Sequence, residues 1–156
     1  MKARDQLKQF EVLLVEDNPG DVRLIEEILK ESGTHIRLNI VRDGVEAMAF
    51  LHREEPYAHA AAPDIIVLDL NLPRKNGHEV IAEVKADRIL KRIPVIVFTG
   101  SEVEEDISKA YDLHVNCCII KPFNLDRFIY VVRQMQDFWL NVTKLPGKRS
   151  TRVRER

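Results

Sequence analysis

Short apolar runs alternate along this chain with longer amphipathic stretches. The runs EVLLVED (11–17), IRLNIVRD (36–43), DIIVLDL (64–70), IPVIVFTG (93–100) and NCCIIKP (116–122) have strand length and are rich in Val and Ile. In three of them the apolar residues are unbroken, at 12–15, 65–68 and 95–98, as expected of strands covered on both faces by helices. The run at 36–43 carries Arg37 and Arg42 among its apolar residues, which suits a sheet edge.

The stretches between these runs have helical spacing. Pro19 to Lys30 places Val22, Ile25, Ile28 and Leu29 on one stripe, with Arg23, Glu26, Glu27 and Lys30 facing out, and Gly33 is positioned to end the helix. Gly20 and Asp21 follow Pro19 and read as part of its cap; a phosphate cradle would need more glycines. Val45 to Leu51 and Gly77 to Ala86 repeat the pattern. SEVEEDISKAYDL opens with Ser101 and has Glu104 three residues on, the spacing of a capping box. Asn124 is placed to cap a final helix running to about Val142, with Leu125, Phe128, Ile129, Val132, Met135 and Trp139 along one face. Five such βα units predict an α/β fold, a doubly wound parallel five-stranded sheet with helices on both faces joined by right-handed crossovers.

Composition narrows the class. With 156 residues, 45% hydrophobic and 31% charged, the chain suits one compact domain and leaves little room for a second. Net charge is −1 but uneven: residues 1–143 hold 18 Lys and Arg against 24 Asp and Glu, and residues 144–156 hold 6 against 1. The expected division is an N-terminal extension (1–9), one domain including the long final helix (10–143) and a basic, disordered tail (144–156). A mildly acidic body argues against DNA binding. No apolar run approaches the ~20 residues that span a bilayer, and the N-terminus carries charges where a signal peptide has its apolar stretch. A cytoplasmic protein without membrane insertion is the expectation. Cys117 and Cys118 are adjacent, which suits neither zinc nor a disulfide scaffold; they read as small residues in a buried strand. His35, His52, His59, His78 and His114 lack ligand spacing and read as surface groups.

In an open parallel sheet, chemistry sits at the carboxyl ends of the strands. The polar residues just past each apolar run are Glu16 and Asp17 on the first, Asp69 on the third, Thr99 on the fourth and Lys121 on the fifth. Any one of these reads as a strand-end ion pair. Together they form a constellation. Clustered carboxylates with few histidines suit a hard cation, Mg²⁺ or Mn²⁺, and Lys121 adds a fixed positive charge. Such a site suits phosphoryl chemistry, with Asp69 as a carboxylate nucleophile forming an acyl phosphate. A small-molecule phosphatase of the aspartyl-phosphate type is disfavoured: its nucleophile would sit on the first strand with a second acid two residues later, whereas Asp69 is followed by Asn71.

The motifs LLVEDNPGD, IIVLDLNLPRKNG, VIVFTGS and IIKPF resemble the receiver domains of two-component response regulators, over about residues 10–142. The resemblance implies a flavodoxin-like (βα)5 fold with strand order 2-1-3-4-5. No output domain is expected, because nothing after residue 143 could fold as one. The resemblance makes Asp69 the acceptor of a phosphoryl group from a sensor histidine kinase. Asp17 would bind Mg²⁺ directly and Glu16 through water, with Asp69 and the Asn71 backbone carbonyl completing the protein's ligands. Thr99 would be the switch hydroxyl and Lys121 the phosphoryl's salt-bridge partner. Pro122 would follow a cis peptide bond that aims Lys121 inward. One departure stands out: three residues before the lysine, where receivers carry Tyr or Phe, this chain has Cys118. A phosphorylation-independent dimeric adaptor, a pseudo-receiver, is the alternative that this departure supports.

A narrower likeness rests on EDNPGDVRLIEEIL, the insert HREEPYAHAAAPD and FWLNVTKLP. These resemble single-domain response regulators paired with bacterial and cyanobacterial phytochrome kinases, and imply a homodimer formed through the final helix and C-terminal extension. Phe138, Trp139, Leu140, Val142 and Leu145 are the apolar surface expected to serve it.

Overall fold

The computed structural model describes residues 9–147. Residues 1–8 and 148–156, which hold most of the expected N-terminal extension and basic tail, lie outside the described residues. Five parallel strands, β1 (Phe10–Val15), β2 (Ile36–Val41), β3 (Ile65–Leu68), β4 (Val95–Thr99) and β5 (Cys117–Ile120), form one sheet in the order β2-β1-β3-β4-β5. The register starts at Phe10 opposite Ile36 and reaches Thr99 opposite Ile120.

Alternate residues of each strand feed two cores. Leu13, Val15, Ile66, Leu68, Val95 and Val97 point to one face, where they meet α2 (Gly44–Leu51), α3 (Gly77–Ala86) and α4 (Glu104–Asp112). Val12, Leu14, Ile65, Ile96 and Phe98 point to the other, covered by α1 (Pro19–Lys30) and α5 (Leu125–Gln136). The unbroken runs are therefore the three inner strands, and the Arg-bearing run is the β2 edge. β5 is the other edge. Cys117 and Cys118 are free thiols there and only half-buried, which corrects the expectation of a buried strand.

Side-chain caps fix where four helices begin: Asn18, Asp43, Asn76 and Asn124 accept from the backbone N–H of Asp21, Glu46, Glu79 and Arg127. α4 differs from expectation. It begins at Glu104 after Val103, with no side-chain cap, and the Ser101 box does not form. Ser101 lies too far upstream; its hydroxyl donates instead to Asp106 at 2.8 Å. Gly33 is not a left-handed cap either, since α1 ends at Lys30 with Glu31 in right-handed geometry and no glycine has positive φ. The final helix reaches Val142 as expected, but widens to a π-type turn over Asp137–Val142.

Two glycines mark places where backbones touch. A Cβ on Gly44 would collide with the Lys75 carbonyl oxygen, and one on Gly77 would lie 2.6 Å from the carbonyl oxygen of Asp69. α3 is thus seated directly on the loop that follows β3. Leu70 and Leu72, which interrupt the turn residues of that loop, are buried and anchor it to the core.

Candidate phosphoacceptor site

The ladders run level to the top of the sheet. The Glu16 N–H donates to the Val41 carbonyl at 3.0 Å, that of Asp69 to Val15 at 3.1 Å, and that of Lys121 to Thr99 at 2.8 Å. Each polar residue after an apolar run therefore arrives on the same rim. Glu16, Asp69 and Thr99 are buried there, and Asp17 is exposed.

The geometry is compact. Thr99 Oγ1 donates to Asp69 Oδ1 at 2.7 Å, and the Asn71 N–H donates to the same oxygen at 3.2 Å. Lys121 Nζ donates to Glu16 Oε1 at 2.7 Å, Asp21 Oδ2 at 2.8 Å and Asp69 Oδ2 at 3.1 Å. One carboxylate oxygen from each of Glu16, Asp17 and Asp69 lies within 4.8 Å of the others. Burial pushes the Glu16 carboxyl up to about 7; the Lys121 hydrogen bond opposes this and the Asp69 charge adds to it. Burial acts to lower Lys121, but its bonds to Asp21 and Glu16 outweigh that and hold the amine above its ordinary pKa. Lys121 is a fixed cation, and Glu16 is a carboxyl that takes up a proton near neutrality.

The lysine reaches this position without the expected isomer. Glu55–Pro56 is the cis bond among the described residues, and Lys121–Pro122 is trans. Because Lys121 extends the β5 ladder by one residue, its side chain shares the face of Cys117 and Ile119, toward α1 and α5. That alternation alone aims the amine at the acids.

The donor set suits a divalent cation. Its ligands are hard oxygens; three carboxylates bind the single amine and Asp17 adds a fourth to the group, so the site has a negative excess that Mg²⁺ or Mn²⁺ would offset. A cleft of about 440 Å³ bounded by Asp17, Asn71, Pro73, Asn76, His78 and Asp106 opens beside it. A larger cleft of about 530 Å³ lies between Leu51 and Pro94 at the opposite ends of the strands, away from the acid group.

Sequence spacing missed two participants. Asp21 reads as a helix cap but binds Lys121, 100 positions away. Ser101 reads as a cap but joins Thr99 to α4: its N–H donates to Thr99 Oγ1 at 3.2 Å while its hydroxyl holds Asp106. The Asp106 carbonyl also meets His78 Nε2 at 2.9 Å, so that histidine is half-buried rather than a plain surface group. In place of an aromatic at 118, the Cys118 N–H donates to the Tyr111 hydroxyl of α4 at 3.0 Å.

With this geometry, the family can be assigned. The model of the response regulator receiver domain matches residues 12–133. The chain belongs to that family. It is 47% identical over 136 residues to the response regulator Rcp1 of Synechocystis sp., covering 87% of this chain and 92% of the relative. Among solved structures it resembles the phosphorylated cyanobacterial phytochrome response regulator RcpA, with 50% identity, a TM-score of 0.87, and coverage of 90% of this chain and 100% of that one. The Mn²⁺-bound form of Rcp1 superposes with a TM-score of 0.86 at 46% identity, covering 88% of this chain and 99% of that one. The chain is a receiver-domain response regulator, and among its described residues Glu16, Asp17 and Asp69 form an acidic group that could hold a divalent cation.

Proposed function

We propose that this receiver accepts a phosphoryl group on Asp69 from the histidine of a phytochrome-type sensor kinase and signals by that modification in the cytoplasm. The observation that carries the reading is the meeting of Asp69, Thr99 and Lys121 beside an acid group fit for Mg²⁺. Asp69 is the nucleophile, Thr99 presents its hydroxyl to the arriving group, and Lys121 pairs with its oxygens. Glu16, Asp17, Asp69 and the Asn71 carbonyl hold the cation, which supplies charge neutralisation for the transfer. The likeness to RcpA and Rcp1 supports the pairing with a phytochrome-type donor. Phosphotransfer profiling tests it: a phytochrome-type histidine kinase labels this chain faster than unrelated kinases do, with labelling that differs under red and far-red light. Transfer from none of them would reject the pairing.

The homodimer belongs to the same reading, with a smaller surface than the sequence indicated. Leu140 is buried in its own subunit and Trp139 and Leu145 lean on the same core, which removes Leu140 from the expected contact set. Phe138 and Val142 remain half or more exposed and are the groups a second copy would cover. In sedimentation experiments Phe138→Ser with Val142→Ser shifts the chain toward monomer; an unchanged distribution would rule out this surface.

A further inference from the structure

Asp21 is the fourth carboxylate of the site and has no place in the cation-holding group, which comprises Glu16, Asp17 and Asp69. Its position in α1 explains why it is free to act elsewhere. Asn18 caps α1 and Asp21 is three residues on, so a capping box would return the Asp21 carboxylate to the Asn18 N–H. In α3 the same spacing closes both halves of the box, between Asn76 and Glu79. In α1 only one half closes: Asn18 Oδ1 accepts from the Asp21 N–H at 3.0 Å, but the Asn18 N–H donates to Glu16 Oε2 at 3.1 Å. The Asp21 carboxylate is turned to Lys121 instead.

An ammonium group has three protons, and Lys121 places them on Glu16, Asp21 and Asp69. Two of those acceptors are shared with the cation site and one is not. The amine and a divalent cation therefore compete for Glu16 and Asp69, and the strength of that competition depends on what else holds the amine.

Resting on the reading of this site as metal-dependent, we propose that Asp21 is a positioning residue that takes a share of the Lys121 amine and so weakens its hold on Glu16 and Asp69, the two carboxylates a divalent cation must win from it. Asp21 touches neither the acceptor carboxylate nor the cation ligands directly; it acts through the lysine. Without it, Lys121 leans fully on the two shared carboxylates and the cation must displace it.

Mg²⁺ titration of the full, unphosphorylated chain by calorimetry tests this without a kinase or phosphodonor. Asp21→Asn weakens Mg²⁺ binding roughly fivefold, the scale of one coupled charge pair. Asp21→Ser does the same and guards against a trapped asparagine side chain. In a Lys121→Met background, Asp21→Asn changes Mg²⁺ affinity by less than about twofold, because Asp21 is partly exposed and its direct field is screened. Equal affinity of Asp21→Asn and the unchanged chain would overturn the proposal. So would an equal loss in both backgrounds, which would reduce Asp21 to a charge acting through space. Failure of the unchanged chain to bind Mg²⁺ would overturn the underlying metal-dependent reading as well, so the two failures are distinguishable.

Discussion

Lys121→Met in a chelating buffer is expected to be about 3 kcal/mol less stable than the unchanged chain, and to regain most of that loss in millimolar Mg²⁺. The cause is the company the amine keeps. Glu16 and Asp69 are buried, and Lys121 supplies the cation nearest both. Removing one partner of a buried pair leaves the other charge uncompensated, which costs more than the pair contributed. Here the loss is limited because Glu16, already raised to about 7, can take up a proton. A carboxyl raised in the folded state contributes stability below its unfolded value of 4.5, and that contribution is lost as pH rises through the folded value. With the lysine gone, Glu16 rises further, so the deficit of Lys121→Met is larger at pH 8 than at pH 6. Denaturant unfolding at both pH values, with and without Mg²⁺, measures this. A deficit that is independent of both pH and Mg²⁺ would mean that Lys121 stabilises the chain by packing alone.

Gly44→Ala and Gly77→Ala are each expected to cost about 3 kcal/mol, while Gly33→Ala changes stability by less than about 1 kcal/mol. The atoms that a new methyl would meet at Gly44 and Gly77 are backbone atoms of the β3–α3 loop and the Lys75 Cβ, none of which can rotate aside. At Gly77 they belong to Asp69 and Leu70, so relief requires shifting the segment that carries Asp69. Gly33 has open space and an unstrained backbone, and serves as the control. Thermal and denaturant melts separate the three. A harmless Gly77→Ala would mean that α3 does not sit tightly on the loop that follows β3.

The comparison of Gly44 and Gly77 with Gly33 also illustrates what a sequence conceals. All three read as turn or boundary residues; only the fold shows which of them touch another backbone. The inner strands were legible because four consecutive apolar residues need cover on both faces, as at Val12–Val15 and Ile65–Leu68. Cys117 and Cys118 misled: small apolar residues in a strand read as buried, but β5 is an edge, where both are half-buried and the Cys118 N–H reaches the Tyr111 hydroxyl. The convergence of Glu16, Asp69, Thr99 and Lys121 was legible because parallel strands end on one rim, so position in each run predicts position in space. Asp21 was hidden by its own plausibility as a cap. Local spacing explained it fully, and nothing nearby signals that Glu16 takes the N–H its carboxylate would have used. Leu140 was misplaced for the opposite reason: an apolar residue at a helix end reads as surface until the π-type turn rotates it into the core.

The central claim is that the carboxylate of Asp69 is the group modified. Intact-mass measurement after incubation with Mg²⁺ and a small acyl phosphate donor tests it most directly. The unchanged chain is expected to gain the mass of one phosphoryl group, and Asp69→Asn, which keeps the size of the side chain but lacks its nucleophilic oxygen, to gain none. Equal labelling of the two would contradict it.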